Sequence, residues 1–244
     1  MANCAMRAGA GVACIAIPKS LAYLIASDIL EATLYPLSEE DGHIKFEEEE
    51  FSGLLSRRVI AIGMGIGDTE ESSKCVGYLL KNYGGVLIID ADGLNVLSKM
   101  DRETVKESRA QIVLTPHLKE FSRLSGIPLP NVQAGDKAEL AASLAKELGC
   151  IVLLKGPVTA VTDGETVYLV SRGCVGMATA GSGDVLSGIL AAVTSCNTDN
   201  VLLAAAAGAY INGVAGEIAQ ERNGQISMIA SDTALSVRDA INSL

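Results

Sequence analysis

The chain has 244 residues, a formal net charge of −10, 49% hydrophobic residues and only 4% aromatic ones. That length suits a single α/β domain over 1–244 with a deep core, and no shift in composition marks a second one. The acidic balance argues against nucleic acid as a partner, and six scattered cysteines with no CxxC pair argue against a disulfide or metal framework, which fits a cytoplasmic protein.

The opening, MANCAMRAGAG, reads as the end of an alanine-rich helix running into a glycine turn, followed by a strand over 12–17. No strand precedes that helix, so an α/β unit lacks its first half: either the fold starts here or a first strand lies upstream of Met1, and the latter is expected. Further strands are predicted over 59–63, 86–90, 112–115 and 151–155, then a hairpin of 159–162 and 166–170 around Asp163, Gly164 and Glu165. Helices are predicted over 19–27, 70–83, 94–99, 118–125, 134–148, 182–193, 200–221 and 227–242. The run Glu47 to Glu50 reads as a solvated helix start. Short β-branched runs alternating with helices predict a parallel sheet covered on both faces. No apolar stretch is expected to reach the roughly 18 residues of a membrane span, and the start lacks the basic and apolar regions of a signal peptide.

Ligands in open parallel sheets bind beyond the carboxyl ends of the strands, so the polar residues that end the predicted strands are expected to converge. GMGIGD at 63–68 spaces its glycines unlike a dinucleotide fingerprint, but it permits a close backbone approach to a ligand. Asp90, Asp92 and Asn95 follow VLII, where three polar groups could bind a polar ligand or cap the next helix, with capping by Asp92 expected in either case. Thr115, His117 and Glu120 follow IVL across a proline, which puts His117 where a ligand would sit. Lys155 ends an apolar strand, where its ammonium needs a phosphate or a carboxylate such as Asp163. The turn of Gly156, Pro157, Val158 and Thr159 comes next, with backbone groups and a hydroxyl that could hold a nucleotide.

GMATAGSGDVLSG at 176–188 runs from a glycine-rich turn into an apolar helix. A helix start presents unpaired N–H groups and partial positive charge, and glycines admit a phosphate. Asp184 in that turn could accept a proton from a substrate hydroxyl beside the nucleotide; the plainer reading is a capping aspartate.

With GMGIG and DADGLN ahead of them, TPHLKEF, KGPVT and ATAGSGDVLSG resemble, in that order and over nearly the whole chain, the NAD(P)H-hydrate dehydratases of the ribokinase-like superfamily. The resemblance implies a three-layer α/β/α fold with a mostly parallel central sheet. It implies ADP- or ATP-dependent dehydration of hydrated NADH or NADPH, with magnesium carried by the nucleotide and no direct protein metal site, in a homo-oligomer such as a tetramer. Asp184 would then be the base. Gly181, Ser182 and Gly183 would stabilise the transferring phosphoryl, and Lys155, Gly156, Pro157, Val158 and Thr159 would hold the nucleotide with Gly183. Gly65, His117 and Asp184 would contact the hydrate, and Glu120 would organise water and magnesium. Family members usually begin with a strand and a GGS-like loop ahead of RAGAG, so the resemblance also implies that this strand and part of the substrate side are absent. Three other readings remain: a small-alcohol kinase of the thiamine-precursor type, whose relatives tend to carry Asn at the position of His117; a non-catalytic nucleotide-binding protein; and an NAD-dependent oxidoreductase, for which GMGIGD is a poor fingerprint.

Overall fold

The computed structural model describes residues 1–27 and 29–244. Helix α1 (Ala2–Arg7) turns into β1 (Cys14–Pro18), followed by α2 (Lys19–Ile25), β2 (Thr33–Leu37), β3 (Glu39–Glu40), β4 (His43–Ile44) and α3 (Glu48–Ser52). β1 pairs in parallel with β2, and β3 pairs antiparallel with β4, in two small sheets separate from the main one. The strand expected over 12–17 therefore does not join the main sheet. Most of its residues are only half-buried, and it ends in Pro18, which cannot donate to a ladder. Its partner β2 also contains a proline, Pro36.

The main sheet is built from apolar four-residue runs: β5 (Val59–Ile62), then α4 (Glu70–Asn82), β6 (Val86–Ile89), α5 (Asp92–Leu97), α6 (Arg102–Lys106) and β7 (Gln111–Leu114). It continues through α7 (Leu118–Ser125), α8 (Leu129–Ala134), α9 (Lys137–Leu148), β8 (Ile151–Leu154), β9 (Thr159–Thr162) and β10 (Val167–Val170). The strand order is β10-β9-β8-β7-β6-β5, parallel from β5 to β8 and antiparallel at β9 and β10, so the sheet is mixed. Alternate residues feed opposite layers. Leu87 and Ile89 pack with α4, α5, α7 and α9, whereas Val86 and Ile88 pack with α10 (Ser182–Cys196) and α11 (Val201–Asn223). Helix α12 (Ala230–Asn242) and α1 close over α10 and α11 through Cys4, Ile189, Val214 and Val237.

Several helix boundaries differ from those expected. The helix predicted over 134–148 begins only at Lys137, because Gly135 is extended and Asp136 accepts from the N–H groups of Ala138 and Glu139 to start α9, and α8 ahead of it was not foreseen. Helix α6 was not foreseen; it is short and capped by Asp101. Helix α11 with the turn before it is long and apolar enough to cross a membrane, which was not expected, but most of it is buried inside the protein. Small residues explain that position. A Cβ on Gly208 would stand 2.8 Å from Leu190 Cδ2, one on Gly213 would stand 2.5 Å from Arg172 Cβ, and one on Gly216 would stand 2.1 Å from Met177 Sδ. The segment leading to the α10 turn thus lies directly against α11, tied there by Gly173 N–H to Glu217 Oε1 (2.8 Å) and Gly176 N–H to Gln220 Oε1 (3.1 Å).

Candidate active site

Register lines the strand ends up. Ile62 pairs with Ile89 and Ile89 with Leu114, so Gly63, Asp90 and Thr115 follow side by side, and Lys155 N–H donates to Pro116 O at 2.9 Å from the next strand. Gly63 has φ +120°, and a Cβ there would lie 1.9 Å from the Asp90 carbonyl oxygen, so the β5 turn is packed backbone to backbone against the β6 turn. Gly65 (φ +73°) is exposed, with open space where a side chain would point. Gly67 N–H donates to Asp92 Oδ2 at 3.0 Å. Asp92 therefore does not cap α5 as expected: it is the first residue of that helix, the N-cap is Ala91, and its carboxylate reaches back to the β5 loop.

A buried charge cluster occupies the centre. Asp90 is 2% exposed; its Oδ1 accepts from Lys155 Nζ and from Ala91 N–H, both at 2.8 Å, and its Oδ2 accepts from the buried Ser187 Oγ at 3.0 Å. Glu120 Oε2 lies 3.9 Å from Lys155 Nζ and accepts from His117 N–H at 2.8 Å. The carboxylate for Lys155 is thus Asp90 and not Asp163, whose Oδ1 is taken by the N–H groups of Glu165 and Thr166 in the hairpin turn. Those two N–H groups hold the Asp163 carboxyl below its usual range. His117 caps α7, its Nδ1 accepting from Lys119 and Glu120 N–H at 3.2 and 3.1 Å in a reciprocal capping box with Glu120. The ring proton then sits on Nε2, 3.4 Å from Glu120 Oε1, with about half of the side chain exposed.

The glycine-rich turn closes over this cluster. Gly181, in the left-handed region at φ +86°, is the N-cap of α10. A Cβ on Gly183 would meet Asp90 Oδ2 at 3.4 Å and Lys155 Nζ at 3.9 Å, so the first turn of α10 rests on the ion pair. Ser182 Oγ is buried with no hydrogen-bond partner among the described residues, and Asp184 in the same turn is exposed. Gly156, Pro157 and Val158 are exposed beyond Lys155, where Thr159 Oγ1 donates to Gly156 O at 3.4 Å. Free N–H groups at a helix start beside an ammonium form an anion site, and the exposed carboxylate at its rim could take a proton. Among the described residues no three His, Cys, Asp or Glu side chains gather to hold a metal. Magnesium is commonly held by one or two carboxylates together with phosphates and water, and Glu120, 3.9 Å from Lys155 Nζ, is the carboxylate available to order water around a nucleotide-borne ion.

Of the residues singled out from sequence, Lys155, Glu120, His117 and Gly183 come together directly, with Ser182 and Asp184 in the same turn as Gly183. Gly65 stands on the neighbouring β5 loop, joined to the cluster through Gly67 and Asp92. Asp90 reads from sequence as one of three strand-end groups able to bind a polar ligand, without its partners, and Ser187 is not singled out. An aspartate ending the fully apolar VLII was the available signal for the first; Ser187 carried none.

The fold and these strand ends define an α/β protein with its candidate site at the start of α10. The family model Carb_kinase, described as NAD(P)H-hydrate dehydratase, matches residues 1–237, and the chain belongs to that family. It is 36% identical over 237 residues to the bifunctional NAD(P)H-hydrate repair enzyme Nnr of Moorella thermoacetica, covering 95% of this chain and 44% of that one. It is 34% identical over 226 residues to the ADP-dependent (S)-NAD(P)H-hydrate dehydratase of Cenarchaeum symbiosum, covering 90% of this chain and 75% of that one. The chain thus spans less than half the length of the bifunctional relatives. Its fold matches the Bacillus subtilis ADP/ATP-dependent NAD(P)H-hydrate dehydratase co-crystallised with ATP/Mg2+ and soaked with CoA, with a TM-score of 0.82 and 24% identity, over 99% of this chain and 84% of that one.

Proposed function

We propose that this chain catalyses ADP- or ATP-dependent dehydration of hydrated NADH or NADPH, restoring the reduced cofactor. The observation that carries the reading is Asp184, an exposed carboxylate on the α10 turn that rests on the Lys155–Asp90 pair, in a chain of this family. The relatives' names, ADP-dependent dehydratase among them, support the nucleotide.

Hydroxide is a poor leaving group. Asp184 takes the proton of the ring hydroxyl as its oxygen attacks the terminal phosphoryl, ATP leaving as ADP or ADP as AMP; phosphate then departs as the ring loses a neighbouring proton and regains its double bond. Gly181 and Gly183 supply N–H groups to the transferring phosphoryl; the Ser182 N–H is held by Thr179 O at 3.3 Å, so Ser182 contributes its unpartnered hydroxyl as the donor. Lys155, Gly156, Pro157, Val158 and Thr159 hold the nucleotide. Gly65 gives the hydrate close backbone approach, His117 offers it Nε2, and Glu120 orders water and the nucleotide's magnesium. That ion supplies charge neutralisation at the phosphoryl group. All six cysteines are free, which supports a cytoplasmic setting, and 1–244 is read as one domain. Exposed Leu169, Leu203 and Tyr210 along β10 and α11 support a homo-oligomer.

The test is recovery of absorbance at the reduced-nicotinamide band with each hydrate plus ATP or ADP. No recovery under any combination overturns the reading.

A further inference from the structure

We propose that Asp90 and Asp92 are paired positioning residues: one turn, Asp90, Ala91 and Asp92, sets the nucleotide half of the site against the hydrate half. This rests on the function proposed above. Asp90 acts towards β8 and α10, where its carboxylate holds Lys155 Nζ (2.8 Å) and Ser187 Oγ (3.0 Å) beneath Gly183. Asp92 acts in the other direction and fixes Gly67 N–H (3.0 Å) in the loop that carries Gly65.

Residues two apart serve opposite sides because of the residue between them. Ala91 has φ +51° and ψ −122°, a conformation that side chains other than glycine rarely adopt. The surroundings hold it there. Ala91 N–H is bound by Asp90 Oδ1, Gly93 N–H by Asp90 O (3.0 Å) and Asp92 N–H by Gly63 O (3.1 Å). Strain maintained by this many bonds at a strand end marks a geometry that the site needs. The turn follows β6, which lies between β5 and β7, so it can touch the β5 loop and also reach past β7 to Lys155.

The two carboxylates should therefore separate in kinetics. Asp92→Ala frees Gly67 and should raise the KM for the hydrate tenfold or more, leaving the KM for ATP and the thermal shift with Mg·ATP within twofold. Asp92→Asn keeps an oxygen for Gly67 N–H and should bring the hydrate KM back to within threefold of wild type. Asp90→Asn strips Lys155 of its carboxylate and should lower kcat and weaken ATP tenfold or more, with the hydrate KM within threefold. If Asp90→Asn does not fold, Ser187→Ala replaces it and should cost threefold or more in kcat at unchanged hydrate KM. Equal effects on both substrates, failure of Asn to rescue at position 92, or an unchanged Ser187→Ala overturns the proposal. If the wild-type chain turns over neither hydrate, the functional reading fails by itself. The positioning claim is then judged by Mg·ATP thermal shifts alone, lost in Asp90→Asn and kept in Asp92→Ala.

Discussion

Lys155 Nζ lies 2.8 Å from Asp90 Oδ1 although a whole strand, β7, runs between the strands that carry them. The carboxylate is almost wholly buried and the ammonium about one-fifth exposed, so each is the other's main compensation for lost water. Lys155→Met or Asp90→Asn alone should cost about 3 kcal/mol or more, and the double variant clearly less than the sum. Urea unfolding of the four proteins reads the coupling; additivity within about 0.5 kcal/mol would mean that the pair contributes nothing specific.

Asp184→Asn should leave Mg·ATP binding nearly intact while lowering dehydration by at least ~100-fold, since an amide cannot accept the hydroxyl proton. Turnover near the wild-type rate would remove Asp184 from the mechanism.

Mg·ATP should raise the melting temperature, because the α10 turn and the 155–159 segment, proposed to hold it, come together only in the folded chain. At a hundredfold excess over the dissociation constant the gain is about 2.7 kcal/mol, or roughly 5–10 °C for a chain of this length. NAD should shift it less, and a larger shift with NAD would favour the oxidoreductase reading.

Gly63→Ala should destabilise the fold by about 3 kcal/mol or more, combining a strained left-handed conformation with overpacking against the Asp90 carbonyl. Gly65→Ala, with open space around its Cβ position, should cost less in stability. A chemical melt in which both glycine variants shift equally would contradict the packing described.

Cysteine alkylation at pH 8 should begin at the exposed Cys196. Burial pushes the thiols of Cys75 and Cys150 up to about 12, with Glu71 adding a smaller push at Cys75, so both remain protonated and enclosed until the chain unfolds. Mass mapping of the labelled sites under native conditions would detect early labelling of either, which should not occur.

Strands β5 to β8 were legible because each is a short, mostly apolar run that stops at Gly63, Asp90, Thr115 or Lys155. The GSGD turn was legible because glycine spacing and the following apolar run are local. Partnership was not. Whether Lys155 meets Asp163, eight residues on, or Asp90, 65 residues back, depends on strand order, which no local pattern carries. The same holds for Asp92, whose capping position is indistinguishable in sequence from one that reaches Gly67. β2 is interrupted by Pro36, and the two-residue β3 and β4 fall below the length at which alternation can be read.

Helix α11 has the apolar character of a lipid-spanning segment for a reason unrelated to lipid. Where Gly208, Gly213 and Gly216 let Leu190, Arg172 and Met177 come within contact of its backbone, a polar or long side chain has no room, and smallness rather than greasiness is what the position selects. The distance from this helix sets how far the segment entering the α10 turn stands from the strand ends. Leucine at Gly213 or Gly216 would make the helix more hydrophobic yet lift that segment outward, altering the aperture offered to the proposed phosphate.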